Sequence, residues 1–576
     1  MHGLFRTKSL DELFESAGQA TERLRRALGP VHVTLLGIGA IIGAGIFATI
    51  GTAAAGDAAR PGAGPSLVLS FALTAIVCAF TALCYAEFAS MVPISGSAYT
   101  YAYSTLGELV AWIIGWDLII EYAVGNVAVA ISWANYFRTF LEGIGIRIPL
   151  WLSTDYRTAA RIPGLYDSAP HVLGVPIVVN LVAFAIVAVV TVVLVWGIRE
   201  SARFNAGMVL VKIVVLLFFI VVALKFVPVS EMTLRWVPFQ PNGWKGTLAG
   251  AAVVFFAYIG FDAVSTVAEE TRNPSRDLPA GILASLVVCT LLYIAVAAVF
   301  TGLVPYPDLV RRLAHEQAEP LTMALQHVAP GAVWASTIVA FGSVVAHTAV
   351  LLVFQLGQPR IFFAMARDGL LPPVFARVHP RFRTPHVTTI LTGLLVGGTA
   401  AFASIDEMVD LTNIGTLFAF VLVSVGIPVL RVREPARPRP FRVPLGPWLI
   451  PGLGAASCLA LMVYLPPASW WRFVGWLTLG LAVYSGYGYA HSAVGARHGR
   501  PSRTPGGFRA ASLGFLLAAA GLFVLPHDLP PARALAAVVD PGSEAHARAA
   551  AGASLLGLGL LAASFGARAG LRAGRR

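Results

Sequence analysis

The chain has 576 residues, of which 57% are hydrophobic and only 12% charged, which excludes a soluble globular protein and marks a polytopic membrane protein. Its net charge of +12 does not call for nucleic acid, because the arginines sit in short loops between apolar runs and leave no basic face over. Cys78, Cys84, Cys289 and Cys458 lie inside apolar runs at no metal-ligand spacing, so neither disulfides nor a metal site is expected.

The N-terminus is charged and lacks a short apolar core with a small-residue cleavage site, so no cleaved signal peptide is expected. Residues 1–30 read as a cytoplasmic amphipathic segment. Ser9 and Glu12 make a capping box, and Leu10, Leu13, Phe14, Ala17, Leu24 and Leu28 recur at helical spacing, predicting a membrane-surface helix over 9–28. Arg23, Arg25 and Arg26 would hold it to anionic lipid; a plain solvated helix fits the same pattern.

From Val31 onward, about fourteen segments are of spanning length: 31–53, 65–91, 106–136, 174–197, 204–227, 246–269, 280–304, 331–363, 385–403, 408–430, 447–466, 470–491, 510–526 and 547–566. The first contains Leu36–Gly51, LGIGAIIGAGIFATIG, whose glycines make the backbone expensive to keep helical, so a break is expected near Gly43–Ala44–Gly45. In hydrocarbon a broken helix persists only where it lines a polar cavity. Close packing through the Gly39 and Gly43 pair fits those glycines equally. A second interruption, FFAYIGFD at Phe255–Asp262, tips the balance toward a solute site. Two broken spans, each opening a block of five, are the pattern of a secondary transporter built from inverted repeats.

Ionisable residues inside spans are the other informative set, each costing about 2.5 to 3.5 kcal/mol at a helix centre. Glu121, halfway along the third span, suits either a counter-charge for a basic substrate or a protonated structural carboxylate. Asp262 lies just past the second break, where it can cap the inner half-helix. Glu87, near the inner end of its span, suits a gate or packing role. Asp117 and His347 are weaker candidates. Lys212 is about nine residues into the fifth span, roughly 13 Å deep, beyond easy snorkelling. Burial lowers a lysine pKa, which makes it a candidate to load and release a proton.

With the N-terminus inside, roughly 27 Lys and Arg fall in inner segments and roughly 13 in outer ones, predicting cytoplasmic termini. The stretch Arg433–Pro447, REPARPRPFRVPLGP, reads as a stiff cytoplasmic connector. The expected organisation is a ten-helix core over 31–431, the connector over 432–446, two helices over 447–491, and a cytoplasmic linker with two accessory helices over 492–576. The last two are rich in Ala and Gly, as lipid-facing helices tend to be, and no chemistry is assigned to them.

IGAIIGAGIF in the first span, YAEFASMVPISGSAYTY after the second, FFAYIGFDAVSTVAEETRNPSRDLP at the sixth, AMARDGLLP after the eighth and IGTLFAF in the tenth together resemble the amino acid, polyamine and organocation superfamily. They look most like its cationic amino acid transporters and their bacterial relatives. The resemblance covers about Leu36 to His491. It implies an all-α, five-plus-five inverted-repeat fold that moves amino acids by alternating access. By resemblance, Ile41, Ile42, Gly43, Ala44 and Gly45 with Phe256, Ala257 and Ile259 occupy the substrate-binding positions. Ala44 stands where many relatives have Thr or Ser, which removes a hydroxyl contact to the carboxylate. In proton-coupled members a lysine on the fifth span takes the place of a sodium ion, which implies that Lys212 would hold unwound carbonyls near Gly37 to Gly39.

The reading is therefore a secondary active amino acid permease of the plasma membrane, proton-coupled, with cationic substrates such as arginine or lysine in view. A polyamine or organic-cation permease and an exchanger are the alternatives, and a non-transporting sensor is the remote one. No HExxH or GxSxG motif lies in the spans, so no enzyme is expected. Substrate, protons and the lipid bilayer are the expected partners, with no cofactor, and a small membrane subunit is left open.

Overall fold

The computed structural model describes residues 4–8, 28–92, 97–197, 202–315, 319–497, 506–525, 537–538 and 545–573. The surface helix expected over 9–28 lies outside the described residues, apart from Leu28. Backbone that crosses hydrocarbon must bond to itself, and the apolar runs accordingly become helices. In chain order these are α1a (Pro30–Ile41) and α1b (Gly45–Ala55), α2 (Leu67–Met91), α3 (Glu108–Gly143), α4 (Leu181–Trp196) and α5 (Ala202–Phe226). A second block of five follows: α6a (Gly243–Val254) with the 3₁₀ segment α6b (Asp262–Glu270), α7 (Pro274–Leu303), α8 (Val333–Arg367), α9 (His386–Phe402) and α10 (Ile405–Arg433). Then come α11 (Leu449–Val463), α12 (Pro467–Val483, continuing to His491), α13 (Gly506–Val524) and α14 (His546–Ala573).

The two blocks interlock by position. Each of α2, α3 and α4 packs on the helix five places later, α7, α8 and α9, and the break in α1 meets the break in α6. That pairing is what two repeats related by a pseudo-two-fold axis produce, and it is the five-plus-five architecture expected. Among the described residues, nine helices are long and apolar enough to cross a membrane, or up to eleven if each bent pair counts as one span. α4 and α9, with 16 and 17 residues, fall short by that measure, so length alone does not establish a count of about fourteen.

The N-terminal residues are tied down on one face of the core. Glu108 N donates to Arg6 O at 2.9 Å and Leu109 N to Leu4 O at 3.0 Å, laying residues 4–8 along the start of α3. Lys8 Nζ reaches Asp368 Oδ1 at 3.1 Å, and Tyr99 donates to the other oxygen of that carboxylate at 2.8 Å. On the opposite face the α3–α4 loop folds into a small cap. Helical turns Tyr156–Ala159 and Leu165–Ser168 and the hairpin His171–Val172 with Val175–Pro176 enclose a small apolar cluster around Ala159, Leu165 and Val178.

α13 and α14 meet through glycines: a Cβ on Gly514 would lie 2.3 Å from Ala563 N, and one on Gly559 would lie 2.3 Å from Ala518 N. Small residues let the two backbones touch, while Leu513, Leu516, Leu558 and Phe565 point outward.

Candidate functional site

α1a ends where Ile42 turns extended (φ −74°, ψ 103°), and helix resumes as a π-turn over Gly45–Thr49. The N–H groups of Ala44, Gly45 and Ile46 precede the first bond of the resumed helix, Phe47 N to Gly43 O at 3.4 Å. They form the positive end of a helix and favour an anion such as a carboxylate. α6a passes through a 3₁₀ turn, Phe255–Tyr258, to an extended Ile259 and then to Gly260 at φ +118°. The carbonyls at the end of α6a, near Phe256, Ala257 and Ile259, are a negative helix end suited to an ammonium group.

The two breaks touch backbone to backbone. A Cβ on Gly45 would lie 2.2 Å from Ala257 Cα, and one on Gly260 would lie 2.7 Å from Ala40 O. Gly45 therefore serves the contact between the breaks, whereas the missing side chain of Gly43 makes room for Val350 of α8, whose Cγ2 would be 2.8 Å from a Cβ there.

Freed backbone groups need partners, and buried side chains supply them. Tyr293 of α7 donates to Ile41 O at 3.0 Å, and Tyr136 of α3 donates to Phe47 O at 2.5 Å. Asn413 Nδ2 of α10 donates to Ala252 O at 2.8 Å, and Asp262 Oδ1 accepts from Gly260 N at 3.2 Å. Lys212 of α5, fully buried, places Nζ 2.5 Å from Gly39 O. Sequence reasoning singled out Lys212 and Asp262 but missed Tyr293, Tyr136 and Asn413. Asn413 was findable as an amide inside an apolar span; a tyrosine carries no comparable signal.

Beneath the breaks, toward the face that holds Lys8 and Asp368, Glu121 is 3% exposed and its Oε2 has no hydrogen-bond partner among the described residues. It is in Coulombic reach of Asp262 and Asp117. Both Asp117 oxygens are likewise unpartnered, set against Gly415, where a Cβ would approach Oδ1 to 2.9 Å. Aromatic rings close this side: Phe88 stacks on Tyr101 at 4.9 Å, Tyr85 meets Phe261 at 5.8 Å, and Phe261 meets Phe420 at 5.0 Å. On the opposite side, a cavity of about 400 Å³ begins one turn beyond Gly45, lined by Thr49 and Thr52 of α1b, Ser132 and Asn135 of α3, Arg161 and Asp406. Beside it Arg60, in the loop after α1b, holds Asp410 of α10 through two bonds of 2.7 and 3.1 Å.

Glu87 stands apart from this site. Its fully buried carboxylate binds Arg431 Nε at 2.9 Å and also Arg431 Nη2, and it accepts from Val443 N at 2.7 Å. It fastens α2 to the connector. Removing one partner of a buried pair is worth about 3 to 5 kcal/mol, so Glu87→Ala is expected to lower the melting temperature in detergent without changing substrate preference. A shifted preference with unchanged melting would place Glu87 in the transport path.

Three relatives bear on these features. The branched-chain amino acid permease BcaP of Bacillus subtilis is 46% identical over 491 residues, 85% of this chain and 99% of that protein. The methylthioribose transporter of the same organism is 44% identical over 494 residues, 86% and 100% of the two chains. The vacuolar cationic amino acid transporter 4 of Arabidopsis thaliana is 37% identical over 441 residues, 76% of this chain and 68% of its own length. The sequence model described as amino acid permease matches residues 28–484, taking in both breaks, Lys212 and the acidic residues beneath them. The chain belongs to the amino acid permease family.

Proposed function

We propose that the protein is a proton-coupled permease of the cell membrane that carries amino acids by alternating access, with both termini in the cytoplasm. The observation that carries this reading is the contact between the two breaks, where the N–H end of α1b and the carbonyl end of α6a lie side by side. An α-amino acid brings one group of each charge, a carboxylate for the first and an ammonium for the second. Ile41, Ile42, Gly43, Ala44, Gly45, Phe256, Ala257 and Ile259 form this site in the proposal. Lys212 is the coupling residue: protonated, it holds Gly39 O; deprotonated, it lets α1a move. The 400 Å³ cavity is then the external vestibule, and the aromatic rings around Tyr85 and Phe261 are the closed inner side. Uptake of labelled amino acids into proteoliposomes under an inward proton gradient tests the whole reading, which fails if no amino acid is accumulated.

Glu121 sets the side-chain preference. A buried carboxylate with an open oxygen suits the guanidinium or ammonium of arginine or lysine. Glu121→Gln is expected to weaken arginine and lysine by about 150-fold or more while alanine changes little, since leaving a buried cation unpaired costs about 3 to 5 kcal/mol. Equal loss for both would make Glu121 structural or proton-linked. A second reading, branched apolar substrates, is favoured by the name of the BcaP relative and by the apolar Ile41, Ile42, Phe256 and Val350 around the breaks. Competition of labelled uptake by leucine against arginine separates the two.

A further inference from the structure

His347 of α8 is fully buried at the back of the vestibule, with both ring nitrogens engaged. Nδ1 lies 2.6 Å from the carbonyl oxygen of Ser343, one turn earlier, and 3.2 Å from the Ser343 hydroxyl. A carbonyl only accepts, so Nδ1 carries the hydrogen and Nε2 presents its lone pair. That lone pair faces the Ser132 hydroxyl at 2.7 Å, and Ser132 lines the vestibule. The basic nitrogen of a buried imidazole is thus one hydroxyl away from an open cavity.

The groups packed on the ring leave few other roles for it. From α1b it meets the ring of Phe47 at 5.7 Å, and from α3 the ring of Tyr136 at 5.7 Å as well as Ser132. Among the described residues, the charged group in its Coulombic reach is Lys212 of α5. α5 and α8 are pressed together at this depth, with Gly342 receiving Val215, one turn along α5 from Lys212.

We propose that His347 is the relay that passes a proton from the external vestibule to Lys212. The inference rests on the proton-coupled reading given above. In the step, Nε2 takes a proton from the vestibule by way of the Ser132 hydroxyl, which is reprotonated from cavity water. The imidazolium then gives up its Nδ1 proton to the neutral Lys212 amine, with the Ser343 hydroxyl next in line. The ring is left neutral as the Nε2–H tautomer and must turn to regain the Nδ1–H form before the next proton, the lysine becomes an ammonium, and charge is conserved. Because imidazolium and ammonium repel at this range, the ring holds the proton only while Lys212 is unloaded, as a relay requires.

The test uses full-length protein in proteoliposomes and compares uptake driven by an inward proton gradient with gradient-free exchange of labelled substrate. His347→Ala is expected to slow gradient-driven uptake about 100-fold, the contribution of a positioned proton-transfer group, and to leave exchange near wild type. Imidazole added outside should restore it by entering the space left beside Ser132. His347→Gln, which keeps shape and hydrogen bonding but cannot relay a proton, should be as slow as His347→Ala and serves if the alanine variant does not fold. Unchanged gradient-driven uptake in either variant, equal loss of exchange, or no restoration by imidazole overturns the proposal. A wild type that ignores the gradient overturns the coupling reading itself, which is a different outcome from a wild type that responds and a variant that responds equally.

Discussion

Lys212→Met is expected to yield a folded protein that exchanges substrate but no longer concentrates it under a proton gradient. Methionine matches the lysine stem in length and packs in the same fully buried space, so the loss is confined to the ammonium and the interactions it makes, the 2.5 Å bond to Gly39 O among them. A lysine ammonium away from water is strongly disfavoured unless bonded, so its protonation and its hold on the carbonyl rise and fall together. Gly39 lies one turn before the break, where a released carbonyl frees α1a to tilt. The accumulation ratio in proteoliposomes, acid outside and without sodium, should fall to the value seen with no gradient. A variant that still concentrates substrate moves coupling to another residue.

Gly45→Leu is expected to abolish substrate binding while the chain still inserts and folds around its other helices. The Cβ alone would sit 2.2 Å from Ala257 Cα, and backbone cannot yield as a side-chain tip can. The two breaks must separate, and the carboxylate and ammonium ends of the site no longer lie within the span of one amino acid. At Gly43 the obstacle is a methyl of Val350, which can rotate, so Gly43→Ala should weaken binding far less. Thermal stabilisation by amino acids reads both. A wild-type shift in Gly45→Leu would mean that the breaks do not form the site.

Much of this was legible in the chain because hydrocarbon makes local features expensive. Glycines inside an apolar run announce a break, and Lys212, Glu121 and Asp262 stand out as charges where charges rarely occur. What was not legible depends on residues far apart in sequence. Nothing near Glu87 predicts that its partner is Arg431, 344 positions later, or that Ser132 meets His347 across 215 positions. Glycine content in α13 and α14 was visible, but composition does not say which way a helix face turns, or that Gly514 and Gly559 meet the other helix. Gly45 was placed among the substrate-binding positions only by resemblance, and nothing in the sequence says that a Cβ there would meet Ala257. The π-turn at Gly45–Thr49 has no signature, since its extra residue per turn is stabilised by tertiary partners such as Tyr136.

The fastening of Glu87 redraws where the functional unit ends. A chain cut at residue 431, where the tenth helix meets its connector, keeps Arg431 at a free end and loses Val443, whose N–H fills a lone pair of a carboxylate with no access to water. The connector is then part of the machine and not packaging between it and later helices. A shortened or fused version that keeps this fastening runs at least through Val443, so its seam lies beyond that residue.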